Sequence, residues 1–106
     1  MAQIVWAEPA LLDLEGIAEY IALDKPTAAK KYIQDVFNKV DRLKQFPNSG
    51  RKPNELPRGT RYREIIVGPS RIFYRLDGTR INILYVMRSE RLLRNYILSE
   101  RDEIST

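Results

Sequence analysis

The stretch RIFYRLDGTRINILYVMRSER, residues 71–91, constrains the fold more than any other part of this sequence. Asp77-Gly78 separates two runs rich in β-branched and aromatic residues. An Asp-Gly pair in that position is a strong signal for a hairpin with a two-residue type I′ loop. The sequence therefore predicts a hairpin in which Leu76 faces Thr79.

The two faces of this predicted hairpin differ in character, because side chains alternate between faces along a strand. One face is apolar and is expected to be core: Ile72, Tyr74, Leu76, Ile81, Ile83 and Tyr85. The opposite face, which we call the arginine face, carries Arg71, Phe73, Arg75, Arg80, Asn82, Leu84, Val86 and Arg88. Like charges directly opposite each other destabilise a sheet, and this register sets Arg75 against Arg80. We therefore expect the arginine face to contact solvent, an acidic neighbour or an anionic partner.

The other elements are predicted from helical periodicity and from proline and glycine residues, which mark the ends of helices and strands. Residues 3–6 and 61–67 are predicted to form strands. Helices are expected at 8–23, at 26–43 and from Ser89, a plausible N-cap, to a polar tail that begins near residue 99. The order β-α-α-β-β-β-α predicts one α+β domain over residues 1–106, with a helical hairpin on one face of a small antiparallel sheet. The arginine face would then be the one the helices leave free.

The turn at Gly68-Pro69-Ser70 leaves one register open. A loop of two or of three residues decides whether Arg63 or Glu64 joins the arginine face, because a one-residue slip moves every side chain to the other face. We favour Arg63 on the arginine face.

Composition excludes much familiar chemistry. The chain has no cysteine and no histidine, so disulfides, thiolate catalysis and the commonest general base and metal ligand are absent. The formal net charge is +4, and eleven arginines lie between Arg51 and Arg101. Arginine favours bidentate contacts with phosphate or carboxylate, which makes an acidic partner plausible.

No run of ~20 apolar residues or signal-peptide pattern is present, so we expect a cytoplasmic protein.

The order of elements and the run YREIIVGPSRIFYRLDGTRINILYVMRSERLL resemble the RelE/ParE superfamily of bacterial toxins. The resemblance covers nearly the whole chain. It implies the toxin component of a type II toxin-antitoxin, or plasmid stabilisation, system that arrests growth and is neutralised by a cognate acidic antitoxin. It implies neither a metal nor a cofactor.

Two activities are associated with the superfamily, and the resemblance favours the ParE-like branch, whose members are understood to inhibit DNA gyrase by binding. The alternative is a RelE-like, metal-independent endoribonuclease that cuts mRNA on the ribosome. An inert or differently targeted relative is a third reading, because fold does not fix function. The residues expected to bind target or antitoxin are Arg61, Arg63, Arg71, Arg75, Arg80, Arg88, Arg91, Leu92 and Tyr96.

A ribonuclease needs an acid-base pair together with positive charge at the phosphate. By resemblance, Arg63, Arg71, Arg88 and Tyr96 would form that set. Ser89 stands where the RelE-like pattern has a catalytic arginine, however, and Asn95 stands where it has a tyrosine. Tyr96 is one residue further on, about 100° around a helix. These departures weaken the ribonuclease reading.

Several of these side chains also have plain structural explanations. Tyr74 and Tyr85 are expected in the core, and Trp6 is expected to pack on an edge strand. Arg75 and Arg80 could be solvated charges of the hairpin, whereas Arg61 or Arg63 could pair with a nearby carboxylate. The stripe of Leu92, Leu93, Tyr96 and Ile97 either closes the core or lines a groove for the antitoxin.

Overall fold

A four-stranded sheet organises the chain in the computed structural model, which describes residues 2–105 except the side chains of Asn95, Ile104 and Ser105. The strands are β1 (Gln3–Trp6), β2 (Tyr62–Val67), β3 (Ser70–Asp77) and β4 (Arg80–Arg88), in the spatial order β1-β4-β3-β2. The last three form the predicted antiparallel meander, whereas β1 joins β4 in parallel. The sheet is therefore mixed at one edge, and the prediction of a purely antiparallel sheet is wrong there.

The helices are α1 (Glu8–Asp24), α2 (Pro26–Asp41), followed by a 3-10 turn over Arg42–Lys44, and α3 (Asn95–Ser105). Pro9 and Pro26 lie in the first turns of α1 and α2, where a missing N–H costs no helical hydrogen bond. Between these helices Lys25 is extended, which separates the two helices of the hairpin. The predicted order β-α-α-β-β-β-α is confirmed. Among the described residues, no helix is both long and apolar enough to cross a membrane.

The hairpin of α1 and α2 covers one face of the sheet and makes the main core. The helices contribute the buried side chains Ala10, Leu14, Ala18, Tyr32, Val36 and Val40, and the sheet contributes Ile65, Val67, Ile72, Tyr74, Ile81, Ile83 and Val86. On the edge strand β1, Trp6 packs against the Phe37 ring at 5.2 Å between centroids, as predicted. This burial accounts for the apolar stripes seen in the sequence.

The loop between β3 and β4 differs from the predicted one. Gly78 and Thr79 form it, so Leu76 faces Ile81 rather than Thr79, and Asp77 faces Arg80. A type I′ loop at Asp77-Gly78 would need a positive φ at Asp77. No described residue other than glycine has a positive φ, and Gly78 alone supplies one, at 62°. Positive φ at only the first loop position fits a type II′ turn. The predicted register is therefore wrong by two residues, which preserves the alternation near the turn.

A bulge changes the faces further along β4. The ladder shifts between Phe73, which faces Tyr85, and Tyr74, which faces Ile83, so Leu84 is the extra residue. Beyond the bulge the alternation is inverted. Tyr85 leaves the predicted core face and stacks on Phe73, while Arg88 moves to the face of the helical hairpin. The prediction that Tyr85 is core beside Ile83 and that Arg88 belongs to the arginine face is wrong for this reason.

The loop between β2 and β3 has two residues, Gly68 and Pro69, because Val67 faces Ser70. Gly68 has a φ of 51°, as the first position of such a loop requires. Glu64 therefore lies on the arginine face opposite Phe73, and Arg63 lies opposite Tyr74 on the other face. The preference for Arg63 on the arginine face is wrong.

The arginine face is covered rather than free. α3 packs on it and closes a second core of Tyr62, Phe73, Leu84, Met87, Leu93 and Leu98. The last helix begins at Asn95 rather than Ser89, and it continues to Ser105, through the predicted polar tail. Leu93 and Leu98 bury their side chains in this core, while Leu92 and Tyr96 stay exposed. Hence the C-terminal stripe is divided between core and surface.

Gly50 lies in close contact with the sheet, in the loop that follows α2 and the 3-10 turn. A Cβ atom there would lie 2.5 Å from the Tyr74 hydroxyl oxygen and 2.9 Å from the Glu64 carbonyl oxygen. The Gly50 N–H donates to the Tyr74 hydroxyl, which in turn donates to the Pro47 carbonyl. The absence of a side chain at this position therefore lets the loop dock onto β2 and β3.

We expect Gly50→Ala to lower the free energy of unfolding by about 1–3 kcal/mol, the usual cost of forcing extra atoms into a packed site. Urea denaturation measures it. Gly59→Ala is the matched control, since no atom lies within 4 Å of a Cβ at that position. Equal effects of the two changes would contradict the importance of this close approach.

Candidate functional site

Arg71, the side chain that the resemblance places at a phosphate, is held between two carboxylates. Its Nε donates to Glu64 Oε1 at 2.6 Å. Its two Nη atoms donate to the two oxygens of Glu55, each at 2.8 Å. The Arg71 side chain is only 10% exposed. The guanidinium therefore makes a bidentate pair with Glu55 and a further ion pair within the sheet.

The strands and one loop fix this cluster. Arg71 and Glu64 point to the same face from the neighbouring strands β3 and β2, and Glu64 is 1% exposed. Glu55 comes from the irregular segment between the 3-10 turn and β2, and it also accepts a hydrogen bond from the Leu93 N–H at 3.3 Å. Arg51 Nε donates to the second oxygen of Glu64 at 2.8 Å. Two cations and two anions thus balance each other in one place.

These contacts shift the pKa values of both groups. The hydrogen bonds with Arg71 lower the pKa of Glu55 from 4.5 to about 2, in spite of partial burial. The bond with Glu55, followed by those with Glu64, raises the pKa of Arg71 further above its ordinary range. Both groups are therefore charged at every pH at which the protein would function, and Arg71 cannot act as a base.

A second cluster fastens α3 to the sheet. Asp102, which is 5% exposed, accepts a bond from Arg75 Nε at 3.1 Å and one from the Tyr62 hydroxyl at 3.1 Å. Arg61 approaches the same carboxylate, with Nη2 at 3.2 Å from Oδ2. Arg75 is therefore a buried structural cation, not a solvated hairpin charge. Arg61 pairs with a carboxylate, which was one of the two structural explanations predicted for Arg61 or Arg63.

A third ion pair closes the edge of β4 beyond the end of β1. Asp13 on α1 pairs with Arg101 on α3, at 2.9 Å between Oδ2 and Nη1. Asp13 also accepts a bond from the Val86 N–H, and Arg101 donates to the Leu84 carbonyl. Backbone groups that a missing neighbouring strand would leave open are in this way satisfied by side chains.

The remaining predicted arginines do not form one surface. Arg63 donates to the Gly50 carbonyl at 2.7 Å and to the Asn48 carbonyl at 3.3 Å, on the face of the helical hairpin. Arg80 is exposed beside the β3–β4 loop. The expected continuous arginine face is therefore dispersed over both faces of the sheet, and its central members are internally neutralised.

Arg88 and Arg91 do come together, at the end of β4 beside α1. The Arg88 guanidinium carbon lies 4.3 Å from the centroid of the Tyr20 ring, and its Nε lies 2.6 Å from a Glu90 oxygen. The two arginines line a groove of about 320 Å³ together with Leu12, Tyr20 and Tyr85. We call this the α1–β4 groove. It combines exposed apolar side chains with these two cations, and it also contains Asp13, which is paired with Arg101. Leu92 and Tyr96 are exposed on the nearby C-terminal segment, at 82% and 59%.

Tyr74, which is buried, and Tyr85, which is partly buried, are poor candidates for proton transfer. Burial raises the pKa of Tyr74, and burial together with Asp13 raises the pKa of Tyr85. Both are therefore harder to ionise than a free tyrosine, which disfavours a role as general base. Tyr96 is the exposed tyrosine among the predicted site residues.

Comparison with known proteins agrees with this architecture. The family model for the ParE toxin of the type II toxin-antitoxin system parDE matches residues 4–93. Toxin RelE2 from Caulobacter vibrioides is 34% identical over 94 residues, which are 87% of this chain and all of the relative. A solved structure described as the chromosomal ParDE TA system from P. aeruginosa has a TM-score of 0.70 and 32% identity, over 85% of this chain and 98% of that one.

These matches define the class: the chain is a type II toxin of the RelE/ParE superfamily. It belongs to the ParE toxin family, whose model spans nearly the whole chain. The family implies a cognate antitoxin as partner.

Sequence reasoning missed the carboxylates that neutralise the arginines, above all Glu55, Glu64 and Asp102. Glu64 could have been predicted, since a two-residue Gly68-Pro69 loop places it on the same face as Arg71. Glu55 lies in an irregular loop, and Asp102 lies in a segment expected to be tail. For these two residues neither periodicity nor strand alternation indicates a partner.

We expect Glu55 to contribute to acid stability. Its pKa is about 2 in the folded protein and 4.5 as a free group, so its contribution is present above pH 4.5 and is lost as the pH falls from 4.5 towards 2. Glu55→Gln should therefore be less stable than wild type at pH 7, and the difference should shrink at low pH. Urea denaturation across this pH range measures it. Glu90→Gln, a change at an exposed acid, should follow the wild-type profile, and an identical profile for Glu55→Gln would refute the expectation.

Proposed function

We propose that this protein is a ParE-like toxin that arrests bacterial growth in the cytoplasm by binding DNA gyrase, and that it does not cut RNA. The cognate antitoxin neutralises it by covering part of the same surface. The toxin class comes from the family, whereas the target is our inference.

The proposal rests on one observation: the hydrogen-bond donors of Arg71 are already used by carboxylates of the chain itself. A ribonuclease of the RelE type would place this arginine at the phosphate, where its donors must be available to the developing charge. Here Glu55 and Glu64 accept hydrogen bonds from all three of its nitrogens. Arg63, the second expected cation, donates to loop carbonyls on the opposite face. The charge that the cleavage reaction needs is therefore not assembled.

A binding role needs a surface rather than a preorganised acid-base pair. The α1–β4 groove offers one, because it joins the cations Arg88 and Arg91 to the exposed parts of Leu12 and Tyr20. An amphipathic acidic segment matches that combination, since its apolar side chains would cover the groove and its carboxylates would meet the arginines. We assign this groove to the antitoxin and to the part of gyrase with which the antitoxin competes.

The second candidate is the ribosome-dependent endoribonuclease. The relative named Toxin RelE2 and the exposure of Tyr96 favour it. In that case Tyr96 and Arg88 would act near the mRNA, without Arg71.

Purified protein should inhibit DNA supercoiling by gyrase, and it should leave mRNA intact in a translating extract. Both assays use the same preparation over the same concentration range, so inactive protein would be recognised by failure in both. Cleavage of translated mRNA without inhibition of gyrase would overturn the proposal in favour of the second candidate.

The paired change Arg88→Gln and Arg91→Gln should weaken inhibition of gyrase by about tenfold or more, since charges at an interface steer association and contribute to affinity. The concentration for half-inhibition of supercoiling measures it. Lys30→Gln with Lys31→Gln removes the same charge from the exposed face of α2 and is the matched control. A loss of similar size in the control would show that net charge alone causes the effect, and it would contradict a role for the α1–β4 groove.

A further inference from the structure

The outer edge of β2 is only partly closed. β2 is the last strand on its side of the sheet. Arg51 pairs with Glu64 from outside the sheet, through backbone hydrogen bonds of 3.0 and 2.8 Å, so the backbone groups of Glu64 point away from β3. Backbone direction repeats at every second residue of an antiparallel strand. The N–H and C=O groups of Ile66 therefore also point outward.

The chain leaves this edge just before it would pair with Ile66. In a continued antiparallel ladder Ser49 would lie opposite Ile66, but the chain turns here, and the Ser49 N–H donates to the Phe46 carbonyl at 3.0 Å. The Ile66 carbonyl accepts a hydrogen bond from the Lys39 ammonium at 2.7 Å. Within the part of the chain that the structure describes, the Ile66 N–H has no acceptor. One position of the ladder is thus open.

Two cavities flank this open position. One has a volume of about 540 Å³, lies on the side of the helical hairpin and is lined in part by Lys39, Arg42 and Phe46. The other, also of about 540 Å³, lies on the side of α3 and is lined in part by Leu92. Ile66 lines both, and we call Ile66 with the two cavities the β2-edge site. Alternate side chains of a strand added at Ile66 would enter the two cavities in turn.

Exposed apolar side chains lie on both sides of the β2-edge site. Phe46 is 58% exposed in the first cavity, Leu92 is 82% exposed in the second, and Ile66 is 36% exposed. Apolar side chains grouped in this way mark a surface that gains free energy when a partner covers it.

The charge of the β2-edge site selects its occupant. Lys39 and Arg42 are exposed, and neither pairs with a carboxylate of the described residues. Glu64, the acid that lines the first cavity, is 1% exposed and is already bound by Arg51 and Arg71. A second copy of this chain would bring the same cations against one another, which disfavours self-association. An acidic segment would instead meet them with carboxylates.

We propose that the β2-edge site binds an extended, acidic segment of a partner protein, which adds a strand beside β2 at Ile66. The Ile66 N–H donates to this strand. The Ile66 carbonyl accepts from it on the lone pair that Lys39 leaves free, since a carbonyl oxygen has two. Lys39 and Arg42 meet its carboxylates, and Phe46 contacts one of its apolar side chains.

The β2-edge site is separate from the α1–β4 groove, because β2 and β4 lie on either side of β3. The inference is therefore independent of the proposed function. Its test needs no gyrase, so either proposal can fail without the other.

The test uses a blocked hexapeptide in which glutamate and valine alternate, titrated into the whole protein at constant ionic strength. NMR resonances of the backbone amides report which part of the protein the peptide contacts. One control peptide has lysine in place of glutamate. A second control peptide carries a methyl group on every backbone nitrogen, so it cannot donate to a neighbouring strand and cannot approach one closely.

We expect the acidic peptide to shift the Ile66 N–H resonance downfield in a saturable manner, and both control peptides to leave it unchanged. Phe46→Ala should weaken binding at least about fivefold, as loss of an apolar anchor at an interface does. Lys39→Gln should weaken it about twofold to fivefold, the effect of one exposed charge. The matched controls Leu23→Ala and Lys30→Gln, which change an exposed leucine of α1 and an exposed lysine of α2, should bind as wild type.

The variant Ile66→Pro removes the outward N–H and keeps the hydrogen bonds between β2 and β3, because proline is accepted on an edge strand where its nitrogen faces solvent. It should bind no peptide, and undiminished binding would overturn the proposal. If this variant does not fold, the methylated peptide tests the added ladder on the wild-type protein.

Three further results would overturn the proposal. The first is binding of the acidic peptide that leaves Ile66 unshifted, or no saturable shift at millimolar peptide. The second is equal binding of the lysine peptide or of the methylated peptide. The third is an Ile66 shift that grows with protein concentration in the absence of peptide, which would assign the edge to a second copy of the chain.

Discussion

The ion pair between Arg71 and Glu64 is the interaction on which the rest of the structure depends. Arg71, near the start of β3, and Glu64, on the edge strand β2, point into the face that α3 covers, beside the apolar second core. A buried charge without a partner is costly, and a buried pair is tolerated only when its remaining hydrogen-bonding groups are satisfied. Glu55 and Arg51 complete the pair, and the segment that carries them is thereby drawn onto the sheet.

The same requirement explains how α3 is attached. Its buried apolar contribution is small, with Leu98 at the centre and Leu93 just before the helix. Two charged contacts add to it: Asp102 meets Arg75 and Tyr62 on the sheet, and Arg101 meets Asp13 on α1. α3 therefore covers a face that would otherwise expose both arginines and aromatic rings. Arginines that seemed available for a partner are instead the means by which the domain closes its second core.

This arrangement changes where a partner can bind. Arg88 and Arg91 lie at the edge of the sheet, where Arg88 stacks on Tyr20 in the α1–β4 groove. Arg71, the residue that a ribonuclease of this superfamily would use at its substrate phosphate, is already paired with two carboxylates. An available α1–β4 groove and a paired Arg71 are consistent with the proposed toxin that acts by association, while the family itself shows only that it is a toxin with an antitoxin.

The sequence by itself determined the order of the elements, the helical hairpin on the apolar face of β3 and β4, and the family, because hydrophobic periodicity, proline positions and local motifs are readable within short windows. Tertiary structure alone decided the register. Only packing selects Gly78-Thr79 over Asp77-Gly78 as the loop, inserts the bulge at Leu84 and so turns Arg88 to the other face. It also decided which arginines are neutralised, since Glu55 and Asp102 reach Arg71 and Arg75 across 16 and 27 positions of the chain. Charge pairing over such separations leaves no periodic trace in a sequence, because it depends on where an irregular loop and a terminal helix come to rest.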